Sequence, residues 1–298
     1  MSSSPVRAIT AWTRRPTLYP FALLGKVRPG SGHHTSPRSD DWNIPSNDLL
    51  RSGVSWVMRF STTPYSLLVA VAGGFGFLPE AVAAQAVDVD QGTFIVEIGG
   101  RAVGTETFRI RRSGFGDNAR TIAQGTLELV EDGVTQTIQS VLGTLGVGMS
   151  LDAYQVKVST PDEVSIRLER RGARMVSEMS SKAGFEEREY RQALPQTPTV
   201  VLDRFFAHHY FFVAPYQTPG GISVSAILPR RGAQSTGTLR MTTVEPITVG
   251  GLTIQAQRLE LRLDGAVHEI WLDGQNRVLR VQIPSQDYVA VRRDPPPG

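Results

Sequence analysis

The segment Glu163-Val-Ser-Ile-Arg-Leu-Glu-Arg170 decides how this chain is read: Val164, Ile166 and Leu168 alternate strictly with Ser165, Arg167 and Glu169. Successive side chains of a strand point to opposite faces, so this stretch has one dry face and one wet face. That is the pattern of an antiparallel sheet, whereas a parallel strand covered on both sides reads as a continuous apolar run. Working outward, period-two segments recur at 93–98, 103–111, 119–130, 134–142, 152–159, 173–180 and 185–191. They return at 222–228, 237–244, 252–263, 266–272, 277–283 and 288–292. Gly99-Gly100, Asp132-Gly133 and Asp264-Gly265 fall between them as hairpin turns. Within 252–263 the apolar phase slips from Ile254 and Ala256 to Leu259, Leu261 and Leu263, which predicts a bulge near Gln257.

The interruption between the two runs reads Thr199-Val-Val-Leu-Asp-Arg-Phe-Phe-Ala-His-His-Tyr-Phe-Phe-Val213, bracketed by Pro195, Pro198 and Pro215. Leu202, Phe205, Phe206, His209, Phe212 and Val213 share a broad apolar face at helical spacing, which predicts a helix near 201–213. The fold class is therefore all-β with one mid-chain helix. A sheet of a dozen or so strands twists too strongly to stay flat, so a half-barrel or open barrel with the helix as its plug is expected. Residues 87–298 read as one such domain.

Upstream, Met58-Arg-Phe-Ser begins a different pattern: an apolar run of 12 residues, 67–78, and then Ala84-Gln85-Ala86. A basic start, a short apolar centre and an A-x-A end are the anatomy of a secretory signal peptide. A spanning helix needs about 20 apolar residues, and this run is shorter and carries Gly73, Gly74 and Gly76. Cleavage after Ala86 is expected, with no membrane span remaining and a periplasmic or secreted product. Residues 1–57, rich in Ser, Pro, Arg and Gly, read as a disordered leader or as a start assigned upstream of Met58.

The charge balance follows this division. Of 31 basic and 28 acidic residues, eight and four precede Val87, leaving 23 and 24. The exported part thus carries a net charge of −1, without the positive field of a nucleic-acid binder. The chain has no cysteine, which excludes disulfides, a lipidated N-terminal cysteine and thiol chemistry.

Motifs for chemistry are sparse, and no catalytic residue, cofactor or metal site is assigned. No G-x-S-x-G occurs in 87–298, Gly143-Thr-Leu-Gly-Val-Gly148 lacks the phosphate-binding ending, and Asp88-Val-Asp90-Gln-Gly92 lacks the glutamate of a calcium loop and reads as an N-terminal tail. His208-His209, with Asp203 upstream, could serve a hydrolase or isomerase. Adjacent helical residues diverge by about 100°, however, so His209 is expected in the core and His208 in solvent. His268 is a weaker candidate. The aromatic cluster is the stronger signal: Phe205, Phe206, His209, Tyr210, Phe212 and Tyr216 are the candidate ligand-binding residues, since a barrel mouth favours apolar pockets.

Several stretches carry a family resemblance: Gly99-Gly-Arg-Ala-Val-Gly-Thr-Glu-Thr-Phe-Arg-Ile110, Tyr154-Gln-Val-Lys-Val158, Gly184-Phe-Glu-Glu-Arg-Glu-Tyr190, Val200-Val-Leu-Asp203 and Trp271-Leu-Asp-Gly-Gln-Asn-Arg-Val-Leu-Arg-Val-Gln-Ile-Pro284. Together they resemble uncharacterised exported bacterial families that are similar in architecture to the Lol lipoprotein carriers. The resemblance implies a curved antiparallel half-barrel with helix in its hollow. It also implies a lipid or lipoprotein acyl chain as ligand. Export, a curling sheet and surplus aromatics, with no catalytic constellation, make a non-enzymatic binder the expected function. A structural or protein-interaction module of the cell envelope is the other expectation.

Overall fold

Two meanders of strands meet where the first strand lies beside the last. In a computed structural model, which describes residues 86–131, 133–159, 163–191 and 197–297, the first meander comprises β1 (Val87–Ile98), β2 (Arg101–Ser113), β3 (Arg120–Glu131), β4 (Val134–Leu145), β5 (Ser150–Val158), β6 (Val164–Arg171), β7 (Arg174–Ser181) and β8 (Gly184–Tyr190). The second comprises β9 (Thr199–Val201), β10 (Ile222–Leu228), β11 (Ala233–Val249), β12 (Leu252–Leu263), β13 (Ala266–Leu272), β14 (Val278–Ile283) and β15 (Tyr288–Arg292). Residues 1–57, expected as a leader, and the expected signal segment before Ala86 lie outside the described residues.

All these strands form one sheet of 15, ordered β8-β7-β6-β5-β4-β3-β2-β1-β15-β14-β13-β12-β11-β10-β9. Every pairing is antiparallel except β9 with β10, which is parallel. The seam between meanders pairs Phe94 with Arg292 and Ile98 with Tyr288. Hairpin turns keep neighbours adjacent; Gly99-Gly100 and Asp264-Gly265 hold both central residues at positive φ, as right-twisted two-residue turns require. The sheet curls until the β8 side approaches the β10–β11 connection, where the Arg188 guanidinium donates to the Gly232 carbonyl and Gln234 Nε2 donates to the Arg191 carbonyl.

The deciding segment behaves as its alternation predicts. Ile166 and Leu168 are buried and Arg167 is exposed on β6. The inner faces of the strands and the chain between β9 and β10 share one apolar core, which includes Phe94, Leu127, Tyr154, Phe206, Leu261 and Tyr288.

Two details differ from the sequence reading. The mid-chain helix is shorter and tighter than the spacing predicts. Thr199-Val-Val201, β-branched throughout, pairs with Ser225–Ile227 as a strand. Phe205 then takes φ of 69°, which ends any helical path, and only Ala207–Phe212 and Ala214–Tyr216 form 3₁₀ turns. All six residues of the first turn are buried, so its aromatics are enclosed on every side rather than set in one stripe. Second, the slip in β12 is not a bulge at Gln257. The irregularity lies on β11, between Met241 and Thr243, facing Leu259 and Arg258. Ile254 and Ala256 face a separate outer cluster with Val249, Trp271 and Leu279, while Leu259, Leu261 and Leu263 face the main core. One strand serves two cores on opposite faces. The segment expected as an N-terminal tail is also strand: β1 starts at Val87, and Asp90 is buried.

Candidate functional site

The plug, residues 202–217, is held by side chains reaching inward from the strands. Glu106 sits on the same face of β2 as Phe108 and Ile110, so its carboxyl points into the core and is fully buried. It accepts the backbone N–H groups of Ala207 at 2.6 Å and His208 at 3.1 Å. The His208 Nδ1–H also donates to it. Glu106 thus caps the 3₁₀ turn from another strand, supplying the acceptor that no local residue provides.

His208 is fully buried, contrary to the expectation of exposure. Its ring stacks on Phe108, with centroids 5.8 Å apart, and covers Gly125 of β3. Glycine is required there, because a Cβ would lie 2.9 Å from His208 Nδ1. The His208 and His209 rings are 4.5 Å apart and edge-on, so neighbouring imidazoles converge here despite the divergence expected of an α-helix. The His–Asp pair drawn from the sequence does not form. His209 Nδ1 accepts the Asp203 backbone N–H at 3.1 Å. The Asp203 carboxylate instead accepts the Tyr154 hydroxyl at 2.6 Å and Arg230 Nε at 2.8 Å. Burial, with His208 and Arg230 nearby, holds the His209 imidazole well below its usual pKa. Burial and the neighbouring Asp203 push the Tyr154 phenol well up.

The remaining candidates divide by depth. Phe206, His209, Tyr210 and Phe212 are buried; Phe205 and Tyr216 are partly so. Phe205 packs on Tyr288 with centroids 5.4 Å apart, under the Arg204 guanidinium at 4.4 Å. Tyr216 donates to the Gly148 carbonyl at 2.6 Å, at the end of the sheet that carries the β4–β5 loop. Among the described residues, no group of three or more metal-ligating side chains is assembled, and no helix is long and apolar enough to cross a membrane.

Tyr210 and His268 form a further inward pair at 2.6 Å. Burial lowers the His268 pKa from 6.5 to about 4, so the neutral imidazole Nδ1 accepts the phenol's proton donation. An unfolded chain would protonate His268 below its usual value, while the folded chain resists until near 4. This contribution to stability is complete above about pH 6.5 and is lost as pH falls through that window, to the extent of about 3 kcal/mol. Urea unfolding of wild type and His268→Asn near neutrality and near pH 4.5 checks this. The variant keeps an acceptor for Tyr210 and should lose distinctly less stability on acidification. Parallel losses in the two proteins would contradict the prediction.

Glu106, Tyr154, Arg230 and Ser140 were not singled out by the sequence reading. The signal that could have found the first two is phase: each sits among the inward-facing apolar residues of its own strand.

The geometry defines a class, a barrel-like antiparallel β domain filled by a segment of its own chain. No family model and no curated protein matches this sequence. Among solved structures it is similar to the crystal structure of a beta-barrel-like protein of a domain of unknown function, DUF1849, from Brucella abortus. That match has 10% identity and a TM-score of 0.41, and covers 71% of this chain and 97% of the other.

Proposed function

We propose that the protein is an exported, non-enzymatic binder of apolar molecules, a lipid or a lipoprotein acyl chain, acting in the periplasm or outside the cell. The observation that carries this is the aromatic segment 205–216 threaded through a curled sheet. Phe205 comes partly to the surface near Tyr288, and Tyr216 does so at the other end of the sheet, near Gly148. An alkyl chain lying along this segment would meet rings for its whole length. The signal-like residues 58–86 and the resemblance to lipoprotein carriers point the same way.

Native mass spectrometry of the protein purified from its own host tests both halves. The expected result is a chain beginning near Val87 that carries an apolar adduct removed by organic solvent. A chain that retains residues before Met58 would overturn export. A bare chain that also fails to take up a fluorescent fatty-acyl probe would overturn binding. It would favour the second reading, a structural module of the envelope, which the burial of all six side chains of Ala207–Phe212 supports.

A further inference from the structure

Three buried polar atoms without a hydrogen-bond partner among the described residues belong to neighbouring parts of the plug boundary: His208 Nε2, His209 Nε2 and the Ser140 hydroxyl. The side chains are 0%, 0% and 3% exposed. Ser140 lies on β4 directly across from Gly125 of β3. The His208 ring lies over that glycine, and a Cβ built there would be 3.2 Å from His208 Nε2. Directly paired residues stand about 5 Å apart, so the Ser140 hydroxyl and His208 Nε2 border the same small region. His209 leans edge-on against Tyr154 of β5, whose partner on β4, Leu142, is on the same face as Ser140.

Orphaned polar groups at this depth are uncommon and call for an explanation. The hydrogen-bond senses here narrow it. Glu106 takes the Nδ1–H of His208, and Nε2 of that ring is left without a partner among the described residues. Asp203 N–H occupies Nδ1 of His209, which leaves Nε2–H as a donor. Ser140 can act in either sense. A partner must therefore accept from His209, and a neutral hydroxyl does so while meeting Ser140 in either sense. An ammonium group could only donate, and a carboxylate could only accept while standing close to Glu106. Phe108 and Phe206 flank the His208 ring and supply apolar walls.

We propose that Ser140, His208 and His209 form the headgroup site for an apolar ligand whose alkyl chain ends in an uncharged hydroxyl. This rests on the apolar-ligand reading above and assigns that ligand a chemical class. Displacement of a fluorescent acyl probe from the purified protein by dodecyl alcohol, dodecane and dodecanoate tests it. The alcohol should bind about tenfold more tightly than the other two, the gain expected of two net hydrogen bonds. Ser140→Ala should cut that preference at least threefold and leave dodecane binding unchanged. Because the Ser140 hydroxyl has no partner among the described residues, the variant should keep its Tm, which separates lost recognition from lost folding; His209→Phe provides a second reading. Equal binding of alcohol and alkane, or a preference untouched by both substitutions, would overturn the headgroup site and leave the apolar-ligand reading standing. Tighter binding of dodecanoate would overturn the assignment of a neutral group. Binding of none of the three would overturn both proposals.

Discussion

Replacing Glu106 by alanine is expected to destabilise the protein by about 4 kcal/mol, although no catalytic or ligand role is assigned to this residue. The carboxyl group receives the N–H groups of Ala207 and His208 and the Nδ1–H of His208, all buried. Deleting it strands three donors away from water, and each stranded donor costs roughly 1–3 kcal/mol. The lower part of the summed range applies because a water molecule can enter the space vacated by the side chain. Against a typical total of roughly 5–15 kcal/mol this is a large fraction, enough to lower Tm by roughly 10 °C. Glu106→Gln keeps one accepting oxygen but turns an N–H₂ toward donors, so its loss should fall between wild type and alanine. Urea unfolding followed by tryptophan fluorescence measures both variants. A loss below about 1 kcal/mol for Glu106→Ala would mean that the plug is held by its rings alone.

Glu106 shows what a sequence with this pattern reveals and what it hides. Strands announce themselves by phase, and β12, β13 and β15 begin and end where the alternation places them, with β6 one residue off at each end. Pairing of β1 with β15 is invisible to the same reasoning, since nothing local links residues some two hundred positions apart. Composition marks the plug as apolar and mid-chain but does not fix its conformation. Helical spacing and full enclosure both place large side chains at every third or fourth position when nearly every residue is large. Thr199-Val-Val201 continues the helical spacing, and its strand character depends on β10, which comes later in the chain. As for the site, the aromatic residues were legible by composition. The polar residues that fasten them were legible only as exceptions to phase: Glu106 among Phe108 and Ile110, Asp90 in step with Phe94 and Val96, Arg292 in step with Tyr288 and Ala290. A charged residue on the dry side of a strand was thus the overlooked signal. Which charge it meets depends on the seam and on the plug, and neither is local.

That signal leads to the second large effect, Arg292→Met, which should cost about 3–5 kcal/mol by leaving the Asp90 carboxylate buried without its partner. Both side chains are 1% exposed, and two hydrogen bonds of 2.8 and 3.0 Å join them. The guanidinium also donates to the carbonyls of Gln91, Val278 and Asp294, and lies 5.4 Å from the Phe108 ring centroid. Gly92 makes room for it, since a Cβ there would lie 2.9 Å from Nη2. The pair spans the junction of first and last strands, where the two meanders join. Even with Arg292 present, burial pushes the Asp90 carboxyl above its usual pKa. Without Arg292 it must rise further, so the folded variant binds a proton that the unfolded chain has released. The Asp90 contribution to the variant's stability is therefore fully present below about pH 4 and is lost as pH rises through the elevated pKa of Asp90. The gap between wild type and Arg292→Met should accordingly be widest near neutrality and narrow on acidification. The double variant Asp90→Leu/Arg292→Met, with no charge left to bury, should recover most of the loss at neutral pH. A penalty independent of pH, or a double variant no better than the single, would show that the guanidinium acts through packing and its carbonyl partners rather than through Asp90.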